Sequence, residues 1–306
     1  MKRRNFIRNS FGYGLALSTV PQILNPAKLF PSSLLSDPEY ELAAVMGGEP
    51  GKMFDLAIEA LGGMKNFVKK NQTVVVKPNI GWDVIPERAA NTNPKLVARI
   101  IEHCFNAGAK DVFVFDHTCD NWNRCYTNSG IENAVKDAGG KMVSGANESY
   151  YQNVKIPKGV KLKDAKVHEL ILDSDVFINV PVLKDHGSAK VTIAMKNLMG
   201  IVWDRGTWHR NGLHQAIADF PTFKTPDLNV VDAYAVMKRN GPRGVSEADV
   251  VNLRSLIVSP DIVAADSAAA KLYGYEPAEI PYIQYANEFK LGKMDLDNVA
   301  IKRIKI

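Results

Sequence analysis

Asn179-Val-Pro-Val-Leu-Lys-Asp-His186, led in by Asp175-Val-Phe-Ile178 and continued by Lys190, Thr192, Lys196, Asn197 and Gly200, decides how this chain is read. The apolar run through Val180 is short and ends at a proline, as a buried strand does. Pro181 carries no N–H for a sheet ladder and closes the run. Lys184, Asp185 and His186 then read as a polar loop. Ala189 to Leu198 is rich in helix formers and has Gly200 just beyond it, so the spacing predicts a helix. Thr192 and Lys196, four apart, would share one of its faces. Strand, polar loop, helix is the order in which open α/β sheets place ligands, at the carboxyl ends of strands.

The same grammar recurs outward from this stretch. Thr73-Val-Val-Val-Lys77 reads as a buried strand ended by Pro78-Asn79. Asn93 is a natural N-cap and Pro94 fits the first turn of a helix running to about Ala107, with Gly108 after it. Asp111 to Phe115 is the next strand, ending in Asp116-His117. Strand, helix, strand at these lengths is a βαβ unit, which makes parallel pairing the default. Further on, Leu228 to Val231 reads as a strand ending in Asp232, Leu253 to Val258 as another, and Val299 to Ile304 as a last one. Pro260 to Leu272 and Glu279 to Phe289 read as helices, and residues 144–170 as an irregular, basic insertion. The expected fold is α/β, with a mainly parallel sheet flanked by helices over residues 39–306 and a small insertion at about 144–170.

The formal charge of +5 is carried by the start of the chain. Residues 1–30 hold Lys2, Arg3, Arg4, Arg8 and Lys28 and no acidic residue, so +5 minus these five leaves a neutral body. Net charge therefore gives no case for a nucleic-acid partner. Lys2-Arg3-Arg4-Asn5-Phe6-Ile7-Arg8 followed by the short apolar core Phe11 to Val20 resembles a twin-arginine export signal. Residues 1–38 are accordingly set apart as signal and linker. The export machinery is the expected partner, and the expected location is periplasmic, or membrane-tethered if the signal is not cleaved. The apolar core is too short to span a bilayer well.

Several strands thus end in a polar group: Lys77 and Asn79, Asp116 and His117, Lys184 and His186, Asp232. In a parallel sheet these groups converge on one edge. At these residues the chain resembles the domain of unknown function 362 family. The resemblance rests on Val-Val-Lys77-Pro78-Asn79, Thr92-Asn93-Pro94, the strand ending in Asp116, and Asn179 to His186. It continues through Thr192, Lys196-Asn197 and Gly200, Asp232 and the Ala-rich helix with Asp266, and covers most of residues 70–275. It implies an α/β ligand- or cofactor-binding domain with Lys77, Asn79, Lys184, His186, Lys196 and Asn197 as site residues. It carries no settled activity. Many relatives add a ferredoxin-like module. This chain has only Cys104, Cys119 and Cys125 and no Cys-x-x-Cys pair, so an iron–sulfur cluster within it is not expected.

The residue types suggest chemistry with alternatives left open. Lysines suit a carboxylate or phosphate and can act as bases when buried, or they can simply be salt-bridged. Lys184 and His186 are the candidates for proton or ligand chemistry. Lys77, Asn79, Thr192, Lys196, Asn197 and Asp232 are the candidates for holding a small anionic ligand. Asp116 and His117 are the candidates for a metal ion. Cys119 and Cys125 could pair as a disulfide, stay free, or ligate a metal with His117. Trp203, Trp208 and His209 could form a lid or pack on the core. No dinucleotide fingerprint or P-loop is present. The leading expectation is an exported protein binding a small anion or metal-containing cofactor, as a redox or isomerase-type enzyme. The alternative is a non-catalytic periplasmic binding or cofactor-delivery protein.

Overall fold

The computed structural model describes residues 39–210 and 212–306. The twin-arginine-type segment falls outside them. The chain begins with β1 (Leu42–Met46) and α1 (Pro50–Ala60), then β2 (Thr73–Pro78), α2 (Pro94–Ala107) and β3 (Asp111–Val114). Here the local signals act as their chemistry predicts. The Asn93 side chain accepts a hydrogen bond from Lys95 N at 3.0 Å, and Gly108 ends α2 at a φ of 103°. Two short helices, α3 (Trp122–Asn128) and α4 (Ile131–Asp137), lead to β4 (Lys141–Met142). Residues 119–128 are therefore partly helical, with Asn121 as the N-cap of α3.

The insertion forms its own antiparallel pair, β5 (Tyr151–Lys155) and β6 (Asp164–His168), followed by α5 (Glu169–Asp173). Next come β7 (Val176–Val180), β8 (Val182–His186), β9 (Lys190–Thr192), α6 (Ala194–Asn197), α7 (Gly206–Arg210) and α8 (Leu213–Asp219). The chain closes with β10 (Leu228–Met237), β11 (Val250–Ser259), α9 (Ile262–Tyr273), α10 (Pro281–Glu288) and β12 (Ile301–Lys305).

The main sheet has the order β12-β1-β11-β10-β7-β2-β3-β4, with β8 on β10 and β9 on β8. Pairing is parallel from β10 through β4 and between β1 and β12, and antiparallel around β11. This is the mixed α/β class with a mostly parallel sheet flanked by helices. Both faces are covered. Val75, Phe177, Val231 and Ile257 point into one core, while Val74, Val76, Ile178 and Val230 point into the other. This period-two division explains why β2 and β7 read as unbroken apolar runs.

Three expectations are corrected. Lys184 to His186 is not a loop and Ala189 to Leu198 is not one helix. β8 and β9 form an antiparallel hairpin, with Lys184 opposite Thr192, and only Ala194–Asn197 is helical. The β-branched Val191, Thr192 and Ile193 favour extended backbone and pack in the core. Thr192 therefore stands on a strand, and shares no helix face with Lys196. Asp232 does not end its strand, because β10 continues to Met237. Among the described residues no helix is long and apolar enough to cross a membrane.

Candidate functional site

The carboxyl ends of β2 and β3, the β8–β9 hairpin, α6 and the segment leading into α7 enclose a cleft of about 490 Å³. Lys77 and Asn79 reach it from the end of β2, and Asp116, His117 and Cys119 from beyond β3. Lys184, His186 and Thr192 come from the hairpin, and Lys196 and Asn197 from α6. The hairpin brings Lys184 and His186 to the same opening as residues more than a hundred positions earlier.

One corner of the cleft is internally satisfied. Lys77 Nζ lies 3.0 Å from Asp116 Oδ1 and donates to Asn197 Oδ1 at 2.8 Å. The other Asp116 oxygen accepts from Ile80 N at 2.7 Å. Asn197 also accepts from Asn79 Nδ2 at 3.0 Å and donates to Asn179 Oδ1 at 2.9 Å, and Asn179 donates to Asn229 Oδ1 at 3.2 Å. A ladder of amides thus ties β2, β7, β10 and α6 together. Burial pushes the Lys77 ammonium below its ordinary pKa, against the pull of Asp116. Gly200 makes this corner fit. A Cβ there would stand 1.9 Å from Asp116 Oδ1 and 2.6 Å from Lys77 Nζ.

The opposite corner is cationic and unneutralised. Lys184 is 1% exposed and its ammonium donates to the Ala90 carbonyl and, at 3.3 Å, to Asn79 Oδ1. Burial pushes it down to about 7, and Lys196 and Lys77 add to the depression. Lys196, partly exposed to the cleft, is pushed down to about 8 by burial, with Arg205 and Lys77 as further repulsive neighbours. Arg205 donates to the carbonyls of His117 and Thr118. Among the described residues none of these three has a carboxylate partner. Asp116, the one carboxylate in the lining, already faces Lys77. Asp266 of α9 holds the start of α6 by accepting from Ala194 N at 2.6 Å and Met195 N at 3.1 Å, and so positions Lys196 and Asn197 from behind.

Two of the three histidines lining the cleft hold opposite tautomers. His186 Nδ1 accepts from Ala189 N at 3.2 Å and Ser188 N at 3.3 Å, so in the neutral ring the proton sits on Nε2. Burial, with Lys196 and Lys184 close by, pushes its pKa down to about 3 and keeps it neutral. His117 Nδ1 instead lies 2.9 Å from the Val202 carbonyl and must donate to it, which leaves the lone pair on Nε2. Its ring stacks on Trp203 at 4.8 Å, and burial followed by Arg205 lowers its pKa.

Of the sequence-derived site residues, nine line this one cleft: Lys77, Asn79, Asp116, His117, Lys184, His186, Thr192, Lys196 and Asn197. Asp232 does not. Its carboxylate, pushed up to about 6 by burial, accepts from Asn93 N at 2.7 Å and Tyr234 N at 3.1 Å and secures the start of α2. Asp116 and His117 are neighbours in the cleft, but no three His, Cys, Asp or Glu side chains among the described residues group as a metal site. The donor set fits an anionic group better than a bare metal ion held by side chains. Cys119 and Cys125 are both free thiols, the first exposed in the cleft and the second buried. Trp208 packs in the core against Phe220, while His209 lines the cleft. Arg205 was not singled out in sequence. Its segment, Trp203 to Arg210, mixes charges and aromatics and has no periodicity that marks one residue.

A family model described as Domain of unknown function (DUF362) matches residues 74–271, well over half of the chain. The "Thylakoid-associated protein sll1697" of Synechocystis sp. is 27% identical over 257 residues, covering 81% of this chain and 76% of that protein. The solved lactate racemase apoprotein from Thermoanaerobacterium thermosaccharolyticum is similar over 80% of this chain at 14% identity and a TM-score of 0.48. This chain spans 59% of that protein's length.

Proposed function

The chain belongs to the DUF362 family, and we propose that it binds a small anion carrying at least two negative charges in the cleft at the strand ends. The observation that carries this reading is the charge balance. Lys184, Lys196 and Arg205 face the cleft without a carboxylate, and the one lining carboxylate is taken up by Lys77. Desolvating an unpaired cation is costly, and an incoming anion relieves that cost. Lys184 and Lys196 supply point charges, and Arg205 a planar donor fixed by two backbone carbonyls.

The test is isothermal titration of sulfate, phosphate and citrate against the full chain at low ionic strength, with chloride as the monovalent control. The multivalent anions should bind saturably and chloride should not. Lys196→Ala should weaken them about tenfold. Binding that is indifferent to anion valence, or unchanged in both Lys184→Ala and Lys196→Ala, would sink the reading.

A second reading, catalysis of proton transfer on the bound anion, has its own support in the two histidines. His186 offers an Nε2–H donor and His117 an Nε2 lone pair, and Lys184 has a pKa near neutrality. An isomerase-type reaction needs such a donor and acceptor. A non-catalytic binding protein needs neither. Proton NMR of small carboxylates in deuterium oxide separates the two. Loss of a C–H signal that depends on His117 and His186 supports catalysis, whereas tight binding without exchange supports a binding or delivery role. Export of the folded chain is also part of the proposal. Arg3→Lys with Arg4→Lys preserves charge and should leave the chain in the cytoplasmic fraction of a bacterial host.

A further inference from the structure

A second depression, of about 450 Å³, lies at the other end of the sheet order, between β12, β1 and β11 on one side and α9 on the other. We propose that it binds a free fatty acid, with the acyl chain along an apolar floor and the carboxylate at Arg303 and Lys305.

The floor is built from Leu42 and Ala44 of β1, Ile257 of β11, Leu272 of α9, Leu296 and Ile301. Along β12 the residues Ile301, Arg303 and Lys305 fall on one face, because side chains alternate along a strand. All three line the groove. The parallel register sets Ile301 beside Leu42 and Lys305 beside Met46, so the groove passes from an apolar end to a cationic end. Met46, at the cationic end, is 44% exposed and adds apolar surface to the rim.

No Asp or Glu lines the groove, and among the described residues Arg303 and Lys305 have no ion-pair partner. Lys271, on the rim, pairs with Glu276 at 3.4 Å. An apolar trough of this volume with a few convergent charges is what a small-molecule site looks like. Its concavity, walled by a helix and a sheet, suits a single chain better than a flat bilayer surface. A second copy docked about a two-fold axis through the cationic end would bring Arg303 and Lys305 against the same cations of its partner, which is unfavourable. The groove shares no residue with the cationic cleft.

The test is titration calorimetry of the full chain with laurate below its micelle concentration. One saturable site is expected. Dodecanol, which keeps the chain and lacks the charge, should bind about tenfold more weakly, as should laurate to the Arg303→Glu, Lys305→Glu double variant. Ala268→Trp, which fills the groove, should abolish binding. The double variant changes exposed side chains only, so it keeps the test valid if the tryptophan disturbs folding. Lys196→Ala should bind laurate as the wild type does. The proposal is overturned by absence of saturable binding, by equal affinity for dodecanol and laurate, or by binding lost in Lys196→Ala and kept in the groove variants. Uptake that occurs only on phosphatidylglycerol vesicles, or a dimer that excludes laurate, would also overturn it.

Discussion

Lys77 and Lys196 line the same cleft and carry the same charge, yet they are opposites. Lys77 is met by Asp116 at 3.0 Å and by Asn197 at 2.8 Å, deep in an amide ladder. Lys196 faces the cleft with Arg205 and Lys77 as its repulsive neighbours, and no partner among the described residues holds it. The first lysine belongs to the framework that shapes the cleft. The second leaves an electrostatic need that a ligand can meet. Residue type alone does not separate them, whereas the partner does.

The comparison breaks most sharply at Lys77. Lys77→Met leaves the Asp116 carboxylate buried without its cation and should cost about 3–5 kcal/mol of stability. Urea denaturation followed by circular dichroism would read it as a lower midpoint at unchanged slope. Asp116→Asn placed on top should recover part of the loss, because it removes the orphaned charge. If Lys77→Met unfolds no more easily than wild type, the pair is not the framework element described here.

Gly200→Ala probes the same corner through space rather than charge. The new methyl would have to displace Asp116 Oδ1 and Lys77 Nζ. A loss of about 1–3 kcal/mol is expected. Anion affinity should fall with it, since Lys77 holds Asn197 at 2.8 Å and a shift there disturbs the placing of Lys196 next to it on α6. A Gly200→Ala protein with native stability and native affinity would mean that the corner is looser than its geometry.

Much of this was legible before the fold was known, and the division follows physical range. β2, β3 and β7 are local apolar runs with turn residues after them, so a window of a few residues identifies them. Asn93 and Pro94 mark the start of α2 by chemistry confined to one turn. Parallel pairing then carries Lys77 and Asp116 to one edge. The first strand of the hairpin reads as a loop and the second as the start of a helix, because Val191 to Ile193 is a short β-branched run beside good helix formers, and only its pairing with Lys184 and Asp185 decides the matter. Whether a charge is neutralised was not legible at all. Asp116 lies 39 residues from Lys77 and Asn197 lies 120, and nothing between them records the contact. Asp232 and Arg205 are the two consequences. One is a polar residue turned to a backbone amide away from the cleft, the other an unmarked loop residue turned into it.

Lys196→Met sharpens the comparison from the other side. Removing an unpaired, partly desolvated cation relieves a cost in the empty protein, so the melting temperature without ligand should hold or rise. Sulfate affinity should fall about tenfold, equivalent to about 1.4 kcal/mol. A thermal melt with and without sulfate gives both quantities. Loss of stability at Lys196→Met would reclassify this lysine with Lys77.

The smallest effect is a pair of opposed pH slopes. Burial lowers Lys184 to about 7 and Lys196 to about 8, from 10.5 in the unfolded chain. Between those values and 10.5 the unfolded chain binds more protons than the folded one. These two lysines therefore make the empty protein more stable as pH rises from about 7 to 10.5, and their cost is greatest below 7. Anion binding needs the protonated amines and must run the other way. Sulfate, which does not titrate in this range, should bind best below pH 7 and weaken steadily above 8. In Lys196→Met the fall near pH 8 should shrink while the step near pH 7 remains. Lys77, also held below its ordinary pKa by burial, adds to the rise of stability with pH, but it is neutralised by Asp116 rather than by a ligand and should leave the anion slope unchanged. Sulfate affinity that is flat from pH 6 to 9 would show that the cleft lysines stay fully charged when empty, and the contrast between the two corners would then be one of geometry alone.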